Sequence, residues 1–128
     1  MKKVLIADDQ FGWRNFNSKA VYEVLGNDTE MDTASSAEEA YTKLLESKDK
    51  PYDYLLTDMQ METNYLPKLA GEWLIEQAQN ISFCNNMKII IISATPHIRY
   101  IAENYGVDFI PKPVAAVSLE AFKEVLSN

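Results

Sequence analysis

Residues 52–58 read YDYLLTD, a mostly apolar run that closes on Asp58. Two other runs close in the same way. Residues 1–10, MKKVLIADDQ, end their apolar stretch on Asp8 and Asp9, and residues 87–95, MKIIIISAT, end theirs on Ser93. Each run is too short for a helix and suits a strand buried on both faces, where near-continuous Val, Ile and Leu replace alternation. Between them lie segments of helical period. Phe11 to Leu25 places Phe16, Ala20, Val21, Val24 and Leu25 on one side, with Gly26 where a helix stops. TEMDTA (29–34) alternates and reads as an edge-like strand. SSAEEAYTKLLES opens with Ser36 and Glu39 at capping-box spacing. A third helix is expected from Gly71 to about Ile81. A fourth should take Pro96 into its first turn and stop at Gly106. VDFIP (107–111) is a fifth strand and VSLEAFKEVL (117–126) a last helix.

Five strands alternating with five helices define an α/β domain, a doubly wound parallel sheet with helices on both faces. In such a sheet every strand ends at one edge, and ligands bind outside that edge where the strand order switches. Asp8, Asp9, Asp58, Ser93 and Lys112 all follow or end strands, so segments distant in sequence deliver polar groups to one place.

Composition narrows the function classes. The chain has 128 residues, 47% hydrophobic and 24% charged, with net charge −7. That suffices for one domain with a real core. An acidic chain lacks the clustered Lys and Arg that phosphate backbones require, so direct nucleic-acid binding is not expected. No apolar stretch is long enough to span a bilayer, and MKK runs straight into VLIADD without a signal-length segment. One cysteine, Cys84, permits no internal disulfide and fits a reducing, cytoplasmic setting. With a single histidine, His97, it leaves little room for a zinc site.

Three carboxylates brought together repel one another, and a divalent ion with a lysine is the natural compensation. Oxygen ligands without sulfur or imidazole favour Mg²⁺. A carboxylate can also attack phosphorus and form an aspartyl-phosphate, with the metal and lysine stabilising the transferring charge.

The stretches VLIADDQ, YDYLLTDMQM, IIIISAT and FIPKPV, in this order, resemble the receiver domain of bacterial response regulators, from Lys3 to Leu126. The resemblance implies a flavodoxin-like strand order 2-1-3-4-5 and a phospho-acceptor at Asp58. It implies Mg²⁺ held by Asp8, Asp9, Asp58 and the backbone carbonyl of Gln60. Lys112 then contacts the phosphoryl group, Ser93 turns toward it in the active state, and Phe109 is the aromatic switch. A histidine kinase or histidine phosphotransfer protein would supply the phosphoryl group. A protein target would read the face of the fourth helix, fifth strand and last helix, with His97, Arg99, Tyr100 and Glu103 exposed there. The reading is a signalling domain rather than an enzyme, one that takes part in its own phosphorylation and dephosphorylation. It is expected to be a single domain over residues 1–128, with no separate output domain.

Each residue alone has an ordinary structural use: Asp8 and Asp9 as loop caps, Asp58 in a turn, Ser93 as a helix cap. The set at four strand ends is what carries the reading. After Asp58 the sequence departs from the family pattern. MQMETNYLPKLAGEW (59–73) is about five residues longer than short βα loops require, and Tyr65 and Leu66 are expected to tuck onto the domain. Other classes are a pseudo-receiver that is not phosphorylated, a haloacid-dehalogenase-type phosphatase and a flavodoxin-like electron carrier. Intact Asp58, Lys112 and Ser93 speak against the first, Gln60 in place of a second acid against the second, and the lack of a Ser/Thr/Gly-rich phosphate loop against the third.

Overall fold

A computed structural model of the chain describes residues 1–61 and 68–127. The elements alternate as β1 (Lys3–Ala7), α1 (Phe11–Leu25), β2 (Glu30–Ala34), α2 (Ala37–Leu45), β3 (Tyr54–Thr57), α3 (Ala70–Gln79), β4 (Lys88–Ser93), α4 (Ile98–Tyr105), β5 (Asp108–Pro111), α5 (Lys112–Ala115) and α6 (Leu119–Leu126). A 3-10 turn, Ser82–Cys84, precedes β4. The five strands form one parallel sheet in the order β2-β1-β3-β4-β5. The chain leaves β1 outward to β2 and returns to β3 on the other side, so the order switches between β1 and β3. Ala7 lies opposite Thr57, which brings Asp8 and Asp58 out side by side just beyond that point.

β1, β3 and β4 read as near-continuous apolar runs because both of their faces are covered. Val4, Ile6, Leu56, Ile90, Ile92 and Ile110 pack with Val21 of α1 and Phe122 of α6. Leu5, Leu55, Ile89 and Ile91 pack with Leu44 of α2, Leu74 and Ile75 of α3 and Ala102 of α4. Each fully buried aliphatic side chain contributes about 1.5–3 kcal/mol, so the two layers dominate the stability. The strand ends are thereby fixed by the core and not by the polar residues that follow them.

Local signals place the helices, with four departures. Ser36 caps α2 by accepting from Glu39 N at 3.1 Å, while the Glu39 carboxylate accepts from Ser35 N at 2.8 Å, one residue before the expected capping-box partner. The fourth helix does not begin at Pro96: Pro96 and His97 form a turn, and α4 starts at Ile98. His97 stands there at φ 63°, a left-handed conformation that His tolerates better than β-branched residues. Lys112–Ala115 forms a helix of its own before α6, because Pro113 suits a first helical turn. Phe16, read on the same side of α1 as Ala20 and Val21, is 39% exposed and packs on Trp13 and Phe122. The expected positions of Tyr65 and Leu66 lie outside the described residues.

Hydrogen bonds at both of its ends tie α3 to the chain after β3 and to α4. Gly71 N donates to the Met59 carbonyl at 2.9 Å, seating the first turn of α3 on the chain just after β3. At the other side, the Tyr105 hydroxyl at the end of α4 reaches Glu76 Oε2 at 2.8 Å and Glu72 Oε1 at 3.2 Å on α3. Gln79 Nε2 adds a bond to the Tyr105 carbonyl at 2.9 Å.

Candidate functional site

At the carboxyl edge of the sheet a cavity of about 410 Å³ is lined by Asp9, Gln10, Trp13, Asp58, Gln60, Met61, Ser93, Ala94 and Lys112. Among the described residues, the β1–α1 loop, α1, the chain after β3, the end of β4 and the start of α5 contribute to it. Asp8 lies directly behind it and is 1% exposed.

The carboxylates converge as expected. Asp8, Asp9 and Asp58 each offer an oxygen, and these lie within 4.8 Å of one another. Asp58, itself buried, accepts from Met59 N through Oδ1 at 2.7 Å and from Lys112 Nζ through Oδ2 at 2.9 Å. Lys112 Nζ also stands 3.1 Å from Asp8 Oδ2. Asp8 Oδ1 accepts from Gln10 N at 2.9 Å, whereas Asp8 Oδ2 is shielded from solvent and takes no hydrogen bond among the described residues. A buried carboxylate oxygen in that state is costly unless a cation neutralises it. One ammonium among three carboxylates leaves net negative charge, so this oxygen-only donor set fits a hard divalent cation such as Mg²⁺.

Burial holds the Asp8 carboxyl above its ordinary value, and the charge of Asp58 adds to this against the opposing bond from Gln10. For Lys112, burial pulls downward, but the hydrogen bond to Asp58 and the charges of Asp58 and Asp8 outweigh it and hold the ammonium above the ordinary lysine value. A raised carboxyl binds its proton more tightly in the folded chain than in the unfolded one. Its stabilising contribution is therefore present below the unfolded value, about 3.9 for Asp, and is lost as pH rises through the higher folded value. In metal-free buffer the urea midpoint should fall across that window, and Asp8→Asn should flatten the fall.

Ser93 is 1% exposed at the end of β4, and its hydroxyl is engaged. It accepts from Thr95 N at 3.1 Å and shares a 2.7 Å hydrogen bond with Thr95 Oγ1. Phe109 is outside the cavity, half-buried on β5, with the Arg99 guanidinium 5.4 Å over its ring. His97, Arg99, Tyr100 and Glu103 are exposed, as expected. Gln60 lines the cavity and is exposed. Cys84 is buried at the far end of the sheet, where burial pushes its thiol up and away from thiolate chemistry.

Sequence reasoning missed Gly71. A Cβ there would run into the Asp58 carbonyl oxygen and lie 2.6 Å from Met59 Cα. Only glycine lets α3 approach the backbone that presents Asp58. The signal was a glycine inside an apolar helical pattern, which commonly marks close packing.

No family model matches the chain, and no curated protein does. Solved structures do. A chemotaxis response regulator of Vibrio cholerae, CheY4, matches at TM-score 0.75 and 22% identity over 98% of this chain and 96% of that one. A response regulator receiver domain protein of Clostridium thermocellum matches at TM-score 0.73 and 25% identity over 98% and 90%. A CheY-like receiver domain protein of Methanospirillum hungatei matches at TM-score 0.68 and 24% identity over 97% and 92%. With its 2-1-3-4-5 parallel sheet and flanking helices, the chain has, over nearly its whole length, the fold of CheY-like response-regulator receiver domains.

Proposed function

We propose that the chain is a phospho-accepting receiver in a two-component relay, taking a phosphoryl group from a phosphohistidine onto Asp58. The observation that carries this is Lys112 Nζ at 2.9 Å from Asp58 Oδ2 and 3.1 Å from Asp8 Oδ2, inside a three-carboxylate cluster opening on a cavity. A carboxylate oxygen of Asp58 attacks phosphorus, the donor's P–N bond breaks, and the electron pair leaves with the imidazole. Met59 N and Lys112 hold the carboxylate in place for that attack. Asp8, Asp9, Asp58 and the Gln60 carbonyl are the residues to hold Mg²⁺, which when bound supplies positive charge to the transferring phosphoryl oxygens. No described helix is long and apolar enough to cross a membrane. The donor is a histidine kinase or phosphotransfer protein in the cytoplasm, and the output is a changed contact with another protein.

The test is intact mass after incubation with acetyl phosphate. One added phosphoryl group that requires Mg²⁺ supports the reading, and an unchanged mass sinks it.

Output at a distance needs two states with different affinity for the phosphoryl group. Ser93 Oγ is bound to Thr95 here and must leave it to donate to a phosphoryl oxygen. That move draws the loop after β4 inward and frees space beside α4 for Phe109, which sits under Arg99 at present. A beryllofluoride mimic should shift NMR signals of α4 and β5 as well as the pocket. Ser93→Ala should weaken the distant shifts while phosphorylation persists. Shifts confined to the pocket in wild type would refute output through this face.

A further inference from the structure

Lys112 poses a positioning problem. Its ammonium sits on a four-carbon stem of high rotamer entropy, and the proposed chemistry needs it at one point. Of its three N–H groups, one is taken by Asp58 Oδ2 at 2.9 Å. Asp8 Oδ2, although 3.1 Å away, forms no hydrogen bond with it. A further neighbour is aromatic: Lys112 Nζ lies 5.0 Å from the centroid of the Trp13 ring, over its face. Trp13 also lines the cavity that Asp58 and Lys112 share.

Resting on the reading of Asp58 as acceptor, we propose that Trp13 is a positioning residue for Lys112, its indole face holding the ammonium in the crease between Asp8 and Asp58. An indole attracts a cation more strongly than the other aromatic rings, and the attraction grows when water is excluded, as around a lysine 8% exposed. The ring is itself held. Phe16, one turn along α1, meets it edge-on at 5.3 Å and 72°, and Phe16 in turn contacts buried Phe122 of α6 at 6.5 Å. This row explains why Phe16 tolerates its exposure: it braces the indole from the solvent side. In this role Trp13 acts through Lys112.

The test compares Trp13→Leu, which keeps an apolar side chain but no π face, with Trp13→Phe, which keeps a weaker one. The first readout needs neither metal nor phosphodonor: the rate at which the Lys112 NH₃⁺ protons exchange with water, followed by ¹⁵N NMR. Trp13→Leu should raise it roughly tenfold, and Trp13→Phe should fall between Leu and wild type, as expected from the strength of cation–π contacts. The second readout is the initial rate of phosphorylation by acetyl phosphate at saturating Mg²⁺, expected to follow the same order. The Mg²⁺-induced rise in Tm should be unchanged in both variants, because the three carboxylates remain. Wild-type exchange in Trp13→Leu would overturn the proposal. So would equal losses in both variants that track their Tm, since packing alone would then account for them. If the wild-type chain takes up no phosphoryl group, the proposed function fails while the exchange rates still decide the role of Trp13.

Discussion

Asp58→Asn is expected to gain no mass from acetyl phosphate and Mg²⁺, under conditions that add one phosphoryl group to the wild-type chain. The amide is close in shape to the carboxylate, and its one oxygen can keep the bond from Met59 N that Asp58 Oδ1 accepts at 2.7 Å, giving up only the 2.9 Å bond from Lys112 to Oδ2. The fold should therefore stand, and the loss should be chemical. An amide is a far weaker nucleophile, and one of the three carboxylates proposed to hold Mg²⁺ is gone. The rise in Tm that Mg²⁺ confers by linkage should shrink in the same variant. Labelling of the Asn variant at the wild-type level would move the acceptor to another residue, and peptide mapping would locate it.

Gly71→Ala should be the most damaging single-methyl change in the chain. The added carbon would meet two backbone atoms, the Asp58 carbonyl oxygen and Met59 Cα, and neither can turn aside as a side chain could. Overpacking a core costs about 1–3 kcal/mol, and a clash with backbone belongs at or above the upper end. For a domain of this size that is a fall in Tm of roughly 10 °C. The damage would extend to chemistry, because α3 can relieve the clash only by moving off the segment that aims Asp58 at Lys112. Slower phosphorylation should thus accompany the lower Tm. Gly12→Ala is the control, since nothing lies within 4 Å of a Cβ built there. Equal stability of the two variants would refute the close approach.

The strands and the pocket were legible because both depend on short-range patterns. Val4–Ala7, Tyr54–Thr57 and Lys88–Ser93 are apolar runs that end on the residues which then line or back the cavity. In a parallel sheet the strand end alone fixes where the next side chain is delivered. What escaped depended on contacts between distant segments or on a single dihedral angle. The start of α4 turned on His97 adopting φ 63°, which no pattern around Pro96 announces. The helix over Lys112–Ala115 went unassigned because two prolines, Pro111 and Pro113, flank the lysine, and a residue before proline ordinarily avoids helical geometry. The hold of Thr95 on Ser93 is a side-chain choice, and the role of Gly71 exists only once α3 is laid against β3.

The tie from Tyr105 to Glu72 and Glu76 makes α4 and α3 mechanical neighbours, while Gly71 makes α3 a neighbour of the Asp58 backbone. Binding energies linked through one body are reciprocal. A protein that grips α4 thereby pulls on the same framework that aims Asp58. If phosphorylation tightens that grip, the grip must in equal measure favour the phosphorylated form. The listener at one end of this domain is then also a voice at the other, and the occupancy of Asp58 would depend on how much target surrounds it.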